Sequence, residues 1–157
     1  AGVTPFAIGT KALWPTGGWF DYMNMRVNGY QFHMDLTSGK VPYTDKRVAA
    51  VFDKWDQLVK PGYYLSNHAS IDWQDALPAL VKGEAAMYLM GNFAVDPLKK
   101  AGMTNDTLGF FQFPKKLLGF GYRLSPFFQK TDSVIWLQLL PQRKDLAVPR
   151  EIARQLH

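Results

Sequence analysis

GEAAMYLMGNF, residues 83–93, is the stretch that decides the fold. An apolar run from Ala85 to Met90 follows a turn glycine, and a run of this length between glycines is typical of a buried β-strand. Residues 94–101 can form a helix, so Gly91-Asn92-Phe93 is predicted to lie where the strand ends and the helix begins. In open α/β sheets ligands collect beyond the carboxyl ends of strands. The stretch therefore predicts both a sheet and a binding edge.

The residues Gly91, Asn92 and Phe93 suit a polyol ligand such as a sugar. Glycine lets a ligand approach the backbone, asparagine offers hydrogen-bond donors and acceptors, and an aromatic ring offers a flat apolar face. The competing interpretation is a strand end whose phenylalanine packs into the core, as apolar residues there usually do. These residues alone leave both interpretations open.

Length and composition indicate one globular domain. The chain has 157 residues, of which 47% are hydrophobic and 20% charged, which is enough to bury a core and is not a disordered composition. It contains no cysteine, which excludes disulfides, thiol catalysis and cysteine metal sites. No apolar run approaches the roughly 20 residues that span a membrane. No signal peptide is visible and the chain starts at Ala1, so we expect a processed or excised piece.

The net charge of +5 is concentrated in residues 115–157. Residues 1–114 carry ten Lys or Arg and ten Asp or Glu, whereas residues 115–157 carry eight and three. A basic segment of this kind can contact nucleic acid or another anionic surface. Its charges are scattered among Leu, Phe and Pro rather than grouped, so we expect no nucleic-acid partner. A basic interaction module acting through residues 115–157 stays as an alternative function.

Hydrophobic periodicity predicts an α/β domain with short strands and packing helices. The clearest helix follows Thr44, which can cap it, and ends before Pro61. Its predicted buried face comprises Val48, Val51, Phe52, Trp55, Leu58 and Val59. Pro78 should kink a second helix that begins near Ile71, or mark its boundary. Further strands are predicted at 4–8, 85–90, 109–113 and 133–140, and further helices at 19–27, 94–101 and 145–156, with a loop at 9–18.

With these segments placed, residues 2–114 resemble the extracellular solute-binding proteins of ABC-type sugar importers, in the class that includes maltodextrin-binding protein. The resemblance rests on the order and spacing of several short pieces. These are GVTPFAIG at 2–9, WP at 14–15, WFDY at 19–22, LTSGK at 36–40, WDQLV at 55–59, WQDAL at 73–77, GEAAM at 83–87 and GNF at 91–93.

The resemblance implies one lobe of a two-lobed periplasmic-binding-protein-like α/β fold, with a short mixed sheet packed by helices. The order of segments is similar to the second lobe, so residues 1–114 are expected to carry half of a sugar cleft and to bind free sugar poorly. Residues 115–157 depart from the family pattern, either as a separate basic tail or as a segment that completes the lobe. A frameshift and genuine divergence would each explain the departure.

The family also implies partners and a location. A sugar or oligosaccharide binds between the lobes, and the closed form docks on the membrane permease from the periplasmic or extracellular side. An isolated lobe exposes an apolar face where its other lobe belongs, so self-association is expected.

The resemblance implies a ligand site around Phe93, which matches the aromatic residue that stacks on a sugar ring. Asn92 and the backbone of Gly91 would bind hydroxyl groups. Trp14 is the second aromatic candidate, because an indole in a loop leaves apolar area exposed unless it has a partner. Its alternative is a loop anchor packed on the domain. Trp19 completes the set of candidates, although the first position of a helix face often packs inward.

Four further aromatic residues are predicted to pack rather than to bind. Trp55 and Trp73 lie on the apolar faces of predicted helices and are assigned to the core. Tyr63 and Tyr64 would line the rim of a cleft, but surface packing is the favoured interpretation.

The sequence gives little support for a catalytic function. The three histidines lack metal-ligand spacing, and no nucleophile or phosphate-binding motif is present. Asp72 and Asp75 share a face of a predicted helix, which would suit glycoside hydrolysis, but such a pair is more often a solvated first turn. We predict a non-catalytic protein without a metal or cofactor. A small carbohydrate-active enzyme using Asp72 and Asp75 stays as an alternative.

Overall fold

The computed structural model describes residues 2–111 and the backbone of residues 134–139. Its centre is a four-stranded sheet in the order β1-β2-β4-β3. The strands are β1 (Thr4–Ala7), β2 (Ala85–Gly91), β3 (Leu108–Phe111) and β4 (Val134–Leu139). β1 runs parallel to β2, and β4 runs antiparallel to both β2 and β3. The predicted α/β class and short mixed sheet are therefore confirmed.

Five helices are present in the described part of the chain. They are α1 (Trp14–Asn28), α2 (Tyr30–Thr37), α3 (Lys46–Val59), α4 (Leu77–Val81) and α5 (Val95–Lys100). Short 3₁₀ turns lie at His68–Ser70 and Asn92–Ala94. Within residues 2–111 none of these helices has the length and apolar character needed to cross a bilayer.

Strand β2 is the central element, as the sequence predicts. It pairs with β1 on one side, where Met87 lies opposite Phe6, and with β4 on the other. Its side chains are buried on both faces apart from Ala86, which is half-buried. A strand that is buried on both faces has a continuous run of apolar residues, and residues 85–90 have this pattern. In the structure the strand continues to Gly91.

Helix α1 begins at Trp14 rather than at the predicted Trp19. The expected loop at residues 9–18 rested on Pro15 and two glycines. Pro15 is tolerated because it lies in the first turn, where its missing amide would have no helical partner. Each helical glycine costs about 1 kcal/mol, whereas burying one large apolar side chain stabilises by about 1.5–3 kcal/mol. The burial of Trp19, Phe20 and Met23 therefore outweighs the preference of the two glycines for a loop.

Helix α2 lies where no element is predicted. It buries Phe32 and Leu36, and the guanidinium of Arg47 lies 4.1 Å from the centroid of the Phe32 ring. Its eight residues contain only this narrow apolar stripe, which is too short a pattern to separate helix from loop.

Helix α3 has nearly the predicted bounds, but its cap is Asp45 rather than Thr44. The Asp45 carboxylate accepts hydrogen bonds from the side chain and the backbone amide of Arg47, which lower the pKa of Asp45 to about 2. The predicted buried face is only partly buried, since Phe52 and Val59 are exposed. α3 packs mainly against α1, and one neighbouring helix covers only a narrow stripe. The residues it does bury are Val48, Val51 and Leu58.

The predicted helix near Ile71 is a turn up to Ala76, and α4 begins only at Leu77. Pro78 lies in the first turn of α4, so it marks the helix boundary, which is one of its two predicted effects. The predicted strand at 133–140 is β4. Residues 112–113 of another predicted strand, the segment 115–130 and the predicted helix 145–156 lie outside the described residues.

Candidate functional site

Three aromatic side chains from separate segments meet beyond the carboxyl end of β2. The ring centroid of Phe93 lies 5.1 Å from that of Trp73 and 6.2 Å from that of Trp14. The Phe93 ring is inclined by 74° to the Trp73 ring and by 57° to the Trp14 ring. Phe93 is 51% exposed and Trp14 is 47% exposed, whereas Trp73 is half-buried. We call Trp14, Trp73 and Phe93 the aromatic corner.

Gly91 determines where the Phe93 ring lies. A Cβ atom added at Gly91 would lie 2.2 Å from Cε1 of Phe93, which is far inside any van der Waals contact. The ring therefore folds back against the strand end, and only glycine leaves room for it. Gly91 is buried in this arrangement, whereas Asn92 is exposed beside it. The predicted contact of the Gly91 backbone with a ligand stays a prediction.

Trp14 is positioned by a strained turn at Leu13. Leu13 has φ 61° and ψ −34°, and the Trp14 amide donates to the Ala12 carbonyl at 2.7 Å, which closes a γ-turn. A positive φ is unfavourable for a residue with a side chain, and this type of γ-turn is rare. Strain of this kind concentrates at functional sites, where the surrounding structure holds it in place. The turn places Trp14 at the start of α1, next to Phe93.

The loop that follows β1 is bound tightly to the turn that carries Trp73. The Lys11 amide donates to the Ile71 carbonyl at 3.1 Å. A Cβ atom added at Gly9 would lie 2.2 Å from the carbonyl oxygen of Asp72, so the two backbones touch. These contacts explain how two segments far apart in sequence deliver their indoles to one place.

Trp73 departs from its predicted place in the core. It packs on the core with one side and meets the Phe93 ring edge-on with the other. The buried Tyr88 hydroxyl donates to the Trp73 carbonyl at 3.1 Å, and burial raises the pKa of Tyr88 well above its usual range. The sequence signal that was available is the position of Trp73 before Pro78, since a helix boundary at the proline leaves Trp73 in a turn.

Trp19 belongs to the core, which corrects its prediction as a ligand residue. It has no exposed surface and packs against Phe6, Trp55 and Tyr64, with ring centroids 5.3, 6.4 and 5.3 Å away. Because α1 begins at Trp14, Trp19 lies in its second turn and faces the sheet. Trp55 and Tyr64 pack as predicted, and the Trp55 indole donates to the Tyr64 hydroxyl at 3.0 Å.

Two carboxylates lie in the same segment as Trp73. Asp72 lies 3.6 Å from the ammonium of Lys11. The Asp75 carboxylate accepts from the Asp72 amide at 3.2 Å and thereby closes the turn that precedes α4. The two carboxylates are thus part of a turn rather than of a helix face, and this arrangement does not favour glycoside hydrolysis. Residues 2–111 also contain no group of three or more His, Asp or Glu side chains that would hold a metal ion.

Two grooves lie elsewhere on the described surface. One, of about 400 Å³, runs along α3 and includes Phe52, Trp55, Val59 and His68. The other, of about 280 Å³, lies between α4 and α5 and is lined mainly by apolar side chains. The aromatic corner is separate from both, and it alone combines exposed rings with the carboxyl end of a central strand.

Sequence comparison relates the chain to a transport protein. It is 34% identical over 101 residues to an uncharacterised ABC transporter extracellular-binding protein of Pyrococcus horikoshii, an alignment that covers 64% of this chain and 22% of that protein. A second such protein of the same organism is 28% identical over 113 residues. No protein-family model matches the chain.

Structure comparison agrees. The bacterial solute receptor AcbH, described as having an exclusive preference for β-D-galactopyranose, matches with a TM-score of 0.63 and 31% identity over 88% of this chain and 33% of the receptor. A chitin oligosaccharide binding protein matches with a TM-score of 0.66 at 19% identity, over 90% of this chain and 35% of that protein, which supports the fold.

The chain thus spans about a quarter or less of the length of the curated relatives it matches, and about a third of these receptors. The comparisons confirm the resemblance to extracellular solute-binding proteins of ABC importers. They also confirm the periplasmic-binding-protein-like α/β fold, over part of its length. The relatives are named as binding proteins rather than as enzymes.

Proposed function

We propose that this chain, a relative of the extracellular solute-binding proteins of ABC importers, binds carbohydrate without catalysis as part of such a component. The observation that carries the proposal is the aromatic corner, where the Trp14 and Phe93 rings are half exposed beyond the end of β2. These two exposed rings meet at the carboxyl end of a central strand, where ligands of α/β sheets bind, and together they offer an apolar face to a partner. The C–H face of a pyranose ring is such a partner.

The ligand is a sugar or oligosaccharide held by few residues. Trp14 and Phe93 stack on its apolar faces, and the exposed Asn92 donates to and accepts from hydroxyl groups next to them. The relatives support this class, since similar receptors are described as binding a galactopyranose or chitin oligosaccharides.

If the chain is part of the solute-binding component of an importer, two further proposals follow for the whole protein. The lobe formed by residues 1–114 completes its cleft with the other lobe of a longer protein, and the closed form docks on a permease from the periplasmic or extracellular side. Where that other lobe is missing, the exposed apolar side chains promote self-association. Val134–Leu139, from the basic segment 115–157, form β4 between β2 and β3, which supports the alternative that this segment completes the lobe.

Isothermal titration with sugars tests the carbohydrate proposal, and the chain contains a matched control. Phe93→Ala removes a ring from the aromatic corner, and Phe52→Ala removes a ring that is equally exposed, at 51%, from α3. We expect Phe93→Ala to weaken sugar binding by about tenfold or more, because one stacking face is lost, and Phe52→Ala to bind like the wild type.

The proposal fails if neither galactose nor a chitin oligosaccharide binds to the wild-type chain at high sugar concentration. It also fails if Phe52→Ala weakens binding as much as Phe93→Ala, because the rings would then act non-specifically. Thermal melts of both variants establish that each is folded before binding is compared.

A further inference from the structure

An ion pair joins the two segments that carry the indoles of the aromatic corner. Lys11 shares a short loop with Trp14, and Asp72 directly precedes Trp73. The Nζ atom of Lys11 lies 3.6 Å from Oδ2 of Asp72, across the same contact in which the Lys11 amide binds the Ile71 carbonyl. The pair therefore lies where the two loops meet, and each of its residues is close in sequence to one of the two indoles.

This ion pair is loose compared with the one between Asp45 and Arg47 at the start of α3. The Asp45 carboxylate binds the Arg47 side chain at 2.8 and 2.9 Å and its backbone amide at 2.8 Å. Asp72 has one longer contact to Lys11, whose side chain is 62% exposed while that of Asp72 is 38% exposed. Exposed pairs of this geometry contribute little to stability. Among the described residues this is the one side-chain contact of either group, which leaves hydrogen-bonding capacity for another partner.

We propose that Asp72 and Lys11 determine specificity for neutral sugars at the aromatic corner. The carboxylate accepts hydrogen bonds from two adjacent hydroxyl groups, and the ammonium donates to one of the same oxygens. This role rests on the proposed carbohydrate function and deepens it. Because the pair has no net charge, a neutral ring binds without leaving a charge uncompensated. A sugar acid would place its carboxylate against Asp72.

The test compares this ion pair with a matched one. Asp35 lies in α2 and Lys40 in the loop that follows it, with their charged atoms 3.7 Å apart and their side chains 29% and 72% exposed. Asp72→Ala and Lys11→Met are therefore compared with Asp35→Ala and Lys40→Met, using galactose, its single-deoxy analogues and galacturonate as probes. Isothermal titration provides the affinities, and thermal melts provide the stability of each variant.

We expect Asp72→Ala to weaken galactose binding by about tenfold, and Lys11→Met by a smaller factor, because hydrogen bonds to charged groups are lost. The deoxy analogue that lacks the hydroxyl bound by Asp72 should bind the wild type more weakly than galactose does. Its affinity should fall little further in Asp72→Ala, and this identifies the hydroxyl that the carboxylate binds. Galacturonate should bind the wild type more weakly than galactose, and this difference should shrink in Asp72→Ala. The Asp35 and Lys40 variants should bind like the wild type.

The inference is overturned if Asp72→Ala and Lys11→Met bind every probe like the control variants while Phe93→Ala still weakens binding. That result would leave the carbohydrate function intact and remove only the role of the ion pair. Absence of sugar binding by the wild type would instead overturn the proposed function, and this inference with it.

Discussion

The aromatic corner and the outer face of α3 both expose aromatic rings, but they are built differently. On α3, Phe52 stacks on Phe20 with centroids 5.3 Å apart and on Trp55 with centroids 6.2 Å apart, at angles of 27° and 16°. These rings belong to one helix and its neighbour. At the corner, Phe93 meets Trp14 and Trp73 from two distant segments at steep angles.

The backbone shows the same contrast. The corner requires a γ-turn with positive φ at Leu13 and two glycines, Gly9 and Gly91, at which a Cβ atom would overlap other atoms. The α3 face requires only a regular helix. Exposure alone does not separate the two regions, since Phe52 and Phe93 are equally exposed. The candidate site therefore differs from the α3 face in the strained and closely packed backbone beneath its rings.

Among substitutions that test the difference between the two regions, the largest effect on stability is expected at Gly9. Gly9→Ala places a Cβ atom 2.2 Å from the Asp72 carbonyl oxygen and 2.4 Å from its carbon, and backbone cannot move aside cheaply. We expect a loss of about 3 kcal/mol in the free energy of unfolding, measured by urea denaturation.

Gly18→Ala is the matched control, because nothing lies within 4 Å of its added Cβ atom and it lies inside α1. It should stabilise the chain by about 0.5–1 kcal/mol through helix propensity. Equal effects of the two substitutions would show that the contact between the loops is not rigid.

Gly91→Ala should have a smaller effect on stability and a large one on binding. Its Cβ atom collides with the end of the Phe93 ring, which can swing away at a cost of about 1 kcal/mol. The displaced ring no longer faces Trp14, so sugar affinity measured by titration should fall about tenfold. Unchanged affinity would indicate that the position of the ring does not matter.

Leu13→Gly tests the strained turn. Glycine adopts positive φ without penalty, and the exposed Leu13 side chain contributes little packing, so stability should stay within about 1 kcal/mol of the wild type or rise. Sugar binding should weaken a fewfold, because the loop that holds Trp14 loosens. Leu13→Ala is the control, since it removes the side chain but keeps the constraint. The hypothesis of functional strain is contradicted if both variants bind alike.

The smallest effect concerns acid stability and lies outside the corner. The pKa of Asp45 is lowered to about 2 by its hydrogen bonds to Arg47. A lowered carboxyl pKa contributes stability that is present above the unfolded value of about 3.9 and is lost as pH falls toward 2. Asp45→Asn should therefore flatten the fall in melting temperature between about pH 4 and pH 2. If the melting temperature of the variant falls as steeply as that of the wild type, carboxyl groups other than Asp45 cause the fall.

Much of the fold, and two of the three aromatic residues of the candidate site, could be predicted from the sequence. The apolar run of β2 is a local pattern, and Phe93 and Trp14 stand out because glycine or proline flanks them. The meeting of Trp14 with Trp73 at the corner could not be predicted, because it depends on backbone packing between residues 9–11 and 68–72. The sequence predicts Trp73 in the core and Trp19 in the ligand site, whereas the structure places Trp73 at the corner and Trp19 in the core. Both differences have one reason. Each depends on where a helix begins, and in both cases a proline in the first turn fixes that boundary.

Sugar binding monitored by the indole N–H signals in a ¹H–¹⁵N spectrum tests the central claim most directly. Among the chain's five tryptophans, Trp14 and Trp73 belong to the corner, whereas Trp19 and Trp55 belong to the core and the α3 face. On titration with galactose or a chitin oligosaccharide, the signals of Trp14 and Trp73 should shift together with increasing ligand, while those of Trp19 and Trp55 stay in place. A shift at Trp55 without one at Trp14 would contradict the account, because the ligand would then lie on α3.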